Sequence, residues 1–152
     1  MEQLGDGIYQ SKGLNALLID CHNMRLSDVA QLDQLFGRIK LFSFKSGRRP
    51  YILIDIYGAR LDRSVSEYYS RQVVNILLEY VAGISFYNGN EASSLVGLAK
   101  RAAPSRYRDK VAVFSNLTDA VEDLCDLQGL PDVVLPQAQA LAGQINLAAL
   151  AI

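Results

Sequence analysis

Residues 51–71 read YILIDIYGARLDRSVSEYYSR, and this stretch decides the fold. Its opening, YILIDIY, is a near-continuous β-branched and aromatic run. Central strands covered on both faces read this way, because neither face has to meet water. Gly58 then breaks the run, charged residues follow, and Val65, Tyr69, Val73, Ile76 and Tyr80 fall at three-and-four spacing, flanked by Gln72 and Leu77. That spacing predicts an amphipathic helix, and a strand feeding a helix is half of a parallel crossover unit. Two residues raise functional questions. Asp55 alternates with Ile54 and Ile56, and a carboxylate buried there must find donors. It either lines a site at the strand's C-terminal end, the functional edge of parallel sheets, or binds loop amides after Gly58 and holds that loop. Ser64 opens Ser64-Val65-Ser66-Glu67, which matches a capping box: the serine oxygen accepts from an amide near Glu67 and the glutamate reaches back to the serine amide. The same hydroxyl at a helix start, with Arg60 and Arg63 close in sequence, also suits phosphorylation, since free amides and the helix dipole stabilise a dianion.

Outward from this stretch the pattern repeats. Ile8-Tyr9, a Ser11-Lys12-Gly13 turn and the run LNALLI (residues 14–19) predict an opening hairpin. In RLSDVAQLDQLFGRIKLF, residues 25–42, the apolar face is Val29, Leu32, Leu35, Phe36 and Ile39, with Ser27 as the expected cap and Asp28 in the first turn. Gly47 and Pro50 end that helix. The strand ISFYN (residues 84–88) is fenced by Gly83 and Gly89, and a third helix is expected from Asn90 with Ala92, Leu95, Val96 and Ala99 inward and Pro104 as its stop. VAVFS (residues 111–115) reads as a fourth strand, followed by a short helix with Leu117, Ala120, Val121 and Leu124 inward behind an Asn116 or Thr118 cap. Strands and helices alternating in this way predict an α/β fold: a mixed, mainly parallel sheet of four to five strands with covering helices. Residues 1–128 form the expected domain. Residues 129–152 form a C-terminal extension, broken by Pro131 and Pro136, with an alanine-rich helix from Gln137 carrying Leu141, Ile145 and Leu150. That helix either packs on its own domain or lies across a second copy as a homodimer.

Composition bounds the chemistry. The chain has 152 residues, half of them hydrophobic and a fifth charged, which suits one globular domain. A formal net charge of -1 supplies no field toward nucleic acid or an acidic membrane, so neither is an expected partner. Basic residues cluster at Arg38, Lys40, Lys45, Arg48 and Arg49, and again at Lys100, Arg101, Arg106, Arg108 and Lys110. Such clusters are solvated helix ends or a phosphate or partner surface. The N-terminus lacks a signal pattern and no apolar run reaches the roughly 20 residues of a membrane span, so a cytoplasmic protein is expected. Cys21 and Cys125 lack metal or redox spacing and read as reduced thiols. With His22 the single histidine, neither a metal site, a cofactor site nor a serine triad is expected. Glycine-rich phosphate loops are absent. A phosphoacceptor receiver is disfavoured too, since Asp20 lacks an acidic neighbour after its strand and Lys110 precedes the last strand. Tyr57, Tyr68, Tyr69, Tyr80 and Tyr87 are either interface or pocket residues or ordinary packing.

The segments YILIDIYGARLD, SVSEYYSRQ, ISFYN and KVAVFSNLTDAVEDL resemble the STAS-like superfamily, which includes anti-sigma factor antagonists and sulphate-transporter C-terminal domains. The resemblance covers about half of the chain and implies a STAS-like sandwich acting by protein contact rather than catalysis. The antagonists present a D-S-S-G type motif at a helix start, its first serine being the kinase target. Here Asp62 matches the aspartate, Arg63 replaces the target serine, Ser64 matches the second serine, and the glycine is missing. The expected role is thus a non-enzymatic regulatory or scaffolding module that binds a protein partner through Asp55, Tyr57, Arg60, Asp62, Arg63, Ser64 and Glu67. A second reading is a small-ligand or lipid-binding domain with a pocket between sheet and helices lined by Tyr51, Tyr57, Phe86 and Tyr87. A third is an enzyme using Asp55 with Tyr57 or His22.

Overall fold

The computed structural model describes residues 2–5, 8–11 and 15–129. In chain order the elements are β1 (Glu2–Gly5), β2 (Ile8–Ser11), β3 (Ala16–Asp20), β4 (Arg25–Leu26), α1 (Val29–Ser46), β5 (Tyr51–Asp55), β6 (Arg60–Leu61), α2 (Ser66–Glu79), β7 (Gly83–Tyr87), α3 (Ser94–Ala102), β8 (Val111–Phe114) and α4 (Leu117–Gln128). Six strands form one sheet in the order β1-β2-β3-β5-β7-β8, with β4 and β6 forming a separate two-stranded pair. The predicted α/β architecture is present. The sheet is mixed and mainly parallel: β3, β5, β7 and β8 run parallel, and the expected hairpin of β2 with β3 gains β1 as an added antiparallel edge.

Sequential strand order dictates where the helices go. A chain that always steps to the next strand with the same right-handed crossover lays each crossover on the same face. The larger core accordingly joins Leu17, Ile19, Ile52, Ile84 and Phe86 to residues of α1, α2 and α3, among them Leu32, Phe36, Tyr69, Val73 and Leu95. The last helix follows the last strand and makes no crossover, so it is free to cover the opposite face. There Leu117, Ala120, Val121 and Leu124 pack on Ala16, Leu18, Leu53 and Tyr87. Both faces of β5 are covered, which is why its sequence is apolar up to the closing Asp55.

Helix stripes match the sequence periodicity while helix starts depart from it. The α1 cap is Asp28, not Ser27: the Asp28 side chain accepts from the Gln31 amide, and Gln31 accepts in return from the Asp28 amide at 3.3 Å. A capping box thus exists one residue later, with glutamine closing it. The box expected at Ser64 does not form. The chain enters α2 through a 3-10 turn, Arg63–Val65, and the position before Ser66 is Val65, which has no side-chain cap. α3 begins at Ser94, not Asn90, and Ala92 is exposed; Asn90 instead organises the preceding turn, accepting from the Ala92 amide at 2.8 Å. α4 is capped by Asn116, one of its two expected caps. Gly47 closes α1 in the left-handed region at φ 66°, where glycine carries no Cβ penalty. Among the described residues no helix is long and apolar enough to cross a membrane. The expected helix from Gln137 lies outside the described residues.

Candidate functional site

The C-terminal edge of the parallel strands is built by side chains far apart in sequence. Parallel register pairs Asp20 with Asp55 and Asp55 with Tyr87. Strand alternation sends Tyr51, Leu53 and Asp55 toward the α4 face, and Ala16, Leu18 and Asp20 do the same on β3. Two carboxylates therefore stand side by side where both strands end. The Asp55 side chain is only 5% exposed, while that of His22 is 30% exposed. Asp55 Oδ1 accepts from the Tyr57 amide at 2.9 Å and from Asn88 Nδ2 at 3.2 Å. Asp20 Oδ1 accepts from the His22 amide at 2.8 Å. His22 Nδ1 lies 4.0 Å from Asp55 Oδ2, beyond hydrogen-bond reach. The His22 ring stacks on Tyr57, with centroids 4.9 Å apart and planes 16° from parallel.

Asp55 therefore does what one sequence reading asked of it, binding a loop amide after the strand. As a partner-contact residue it is corrected: at 4% exposure it sits beneath the surface and positions what lies above it. The burial has a neighbour effect as well. Burial in the three-helix core first, and then the charges of Asp20 and Asp55, push the Cys21 thiol up to about 12, so this cysteine stays an un-ionised packing residue.

Above the carboxylates the loop after β5 is braced. Gly58 has φ 66°, and a Cβ there would lie 2.0 Å from Asn23 Oδ1, so the two loops touch where only glycine fits. The Asn23 amide donates to the Tyr57 carbonyl at 2.7 Å, the Arg60 amide to Met24 at 2.9 Å and the Asp62 amide to Leu26 at 2.9 Å. The result is the parallel β4–β6 pair, which joins Arg25 to Arg60 and Leu26 to Leu61. Arg25 Nε also donates to Asp62 Oδ1 at 3.0 Å. That pair is largely exposed on its arginine side and contributes little beside the backbone bonds. It does occupy Asp62, which faces Arg25 rather than open solvent.

The other named residues point outward. Tyr57 is 56% exposed, and Arg60, Arg63, Ser64 and Glu67 are all exposed. Ser64 caps nothing, so its hydroxyl is accessible on the 3-10 turn. An open groove runs beside this loop toward the start of α3, bounded by Gly58, Arg60, Asn88, Asn90 and Ser93. The four residues expected to line a pocket do not converge. Phe86 lies in the three-helix core, Tyr87 and Tyr51 belong to the α4 side, and Tyr57 is at the surface. An interior void bordered by Cys21, Phe36, Tyr69, Ile84 and Phe86 measures about 20 Å³, room for about one water and for no lipid or metabolite.

Sequence reasoning set Asp20 aside, kept His22 only as a partner of Asp55 in the enzyme reading, and overlooked Asn23 and Asn88. A signal for Asp20 existed. The strands ALLID and YILID end alike, and adjacent parallel strands with the same ending bring their aspartates together. No family model, curated protein or solved structure matches the chain, so the functional reading rests on this geometry.

Proposed function

We propose that this chain is an intracellular, non-enzymatic regulatory or scaffolding domain. It binds a protein partner through the loop and helix start after β5, with Tyr57, Arg60, Arg63, Ser64 and Glu67 as the contacting side chains. One observation carries this reading: the surface is exposed yet held in shape from below, by Asp55 and by the β4–β6 pair. A surface already ordered before contact loses little conformational entropy on binding. Tyrosine and arginine are the residue types on which binding energy concentrates. The resemblance to STAS-like proteins, which work by contact at the same helix start, supports the reading, as does the failure of Tyr51, Tyr57, Phe86 and Tyr87 to converge on a pocket. Ser64 is the natural control point, since a phosphate there would add charge beside Arg60 and Arg63.

The test is affinity capture from native cells with tagged full-length protein, compared with a Tyr57→Ala, Arg60→Ala, Arg63→Ala triple variant. These side chains are exposed, so the fold should survive their loss. The wild type is expected to retain a discrete partner that the variant loses at least tenfold, with phosphate on Ser64 in part of the recovered protein. Equal recovery of every bound protein by the folded variant would exclude this surface.

A further inference from the structure

We propose that Asp20, His22 and Asp55 form a binding site for a divalent transition-metal cation of the Zn²⁺ or Mn²⁺ type. One donor atom from each residue lies within 4.8 Å of the other two. Metal–ligand bonds of about 2.0–2.2 Å in a tetrahedral site put neighbouring donors roughly 3.4 Å apart, so side-chain shifts of about an ångström would close the set. Two carboxylate oxygens and one imidazole nitrogen suit borderline divalent ions, which accept both donor types. Three protein donors also leave positions for water or for a group brought by a partner.

A separate observation points to a cation here. The Asp55 side chain is nineteen-twentieths buried, and among the described residues Oδ1 takes two hydrogen bonds while Oδ2 takes none, its nearest basic atom being His22 Nδ1, 4.0 Å away. Among the described residues neither Asp20 nor Asp55 has an ion pair with lysine or arginine. Two adjacent carboxylates, one of them buried, thus face a single imidazole across a gap too long for a hydrogen bond. An ion in that gap would satisfy Oδ2 and neutralise the pair. The donors are already oriented: the His22 amide holds Asp20, the Tyr57 ring lies flat on His22, and the Tyr57 amide holds Asp55. Oriented donors are what tight metal sites share.

This inference is independent of the partner-binding reading, because the three residues lie below the outward side chains proposed to touch the partner. Full-length protein, stripped with chelator, is titrated by calorimetry with ZnCl₂ and separately with MnCl₂, the readout being heat and stoichiometry. One ion per chain is expected, with affinity falling at least 100-fold in Asp20→Asn, His22→Ala and Asp55→Asn. His22 and Asp20 are only partly buried, so those two variants test the site without touching the acceptor of the Tyr57 amide; circular dichroism checks the fold of each. With Mn²⁺, amide signals of His22, Tyr57 and Asn88 should broaden first in NMR spectra. Absence of saturable binding for both ions at millimolar concentration would overturn the proposal. Unchanged affinity in folded Asp20→Asn and His22→Ala proteins would also overturn it.

Discussion

Phe86→Ala should lower the unfolding free energy by about 3–5 kcal/mol, the cost of emptying an aromatic site in a packed interior. Phe86 is 1% exposed in the interior strand β7 and belongs to the core shared by α1, α2 and α3. Its neighbours cannot collapse into the gap without dragging helices, because β7 is paired on both sides, with β5 and β8. The comparison is Phe44→Ala: Phe44 is 83% exposed on α1, and its loss should change stability by no more than about 0.5 kcal/mol. Urea denaturation of both variants checks the pair. Equal, small effects would mean that the three helices do not share the Phe86 face of the sheet.

The second large effect is at Asp55. Asp55→Ala removes the acceptor of the Tyr57 amide and of Asn88 Nδ2. A donor left without a partner near the interior costs about 1–3 kcal/mol, and the cavity adds to it. The loss of repulsion from Asp20, register-paired with Asp55, acts in the opposite direction. A net loss of about 2–3 kcal/mol is expected, together with faster hydrogen exchange at the Tyr57 amide. Asp55→Asn keeps an oxygen acceptor of the same shape and should cost less than about 1 kcal/mol. If the asparagine variant is as damaged as the alanine variant, the charge and not the acceptor holds the loop.

Sequence made the layers legible because burial writes itself into periodicity. YILID is apolar on both faces because helices cover both, and α2 shows its stripe at Tyr69, Val73 and Ile76 because one side meets the sheet. Helix starts were less legible, since several adjacent residues can cap and the backbone selects one. Ser27 and Asp28 are both good caps, yet only Asp28 lies three residues before Gln31. Ser64 has a glutamate three residues on, but Asp62 and the β4–β6 pair draw the chain into a 3-10 turn first, so the pattern is present without the bond. The pair itself was invisible because two-residue strands carry no period. The carboxylate pair needed register as well as pattern: Asp20 and Asp55 meet only because β3 and β5 are adjacent and parallel with ends aligned.

The partner-contact claim is tested most directly by placing a photo-crosslinking amino acid at Tyr57, or at Phe44 on α1, in full-length protein expressed in its native cells. Both positions are exposed, at 56% and 83%, so accessibility alone favours Phe44. The expected result is one discrete protein adduct through position 57 and none through position 44. An adduct through position 44 with nothing captured at 57 would contradict the account.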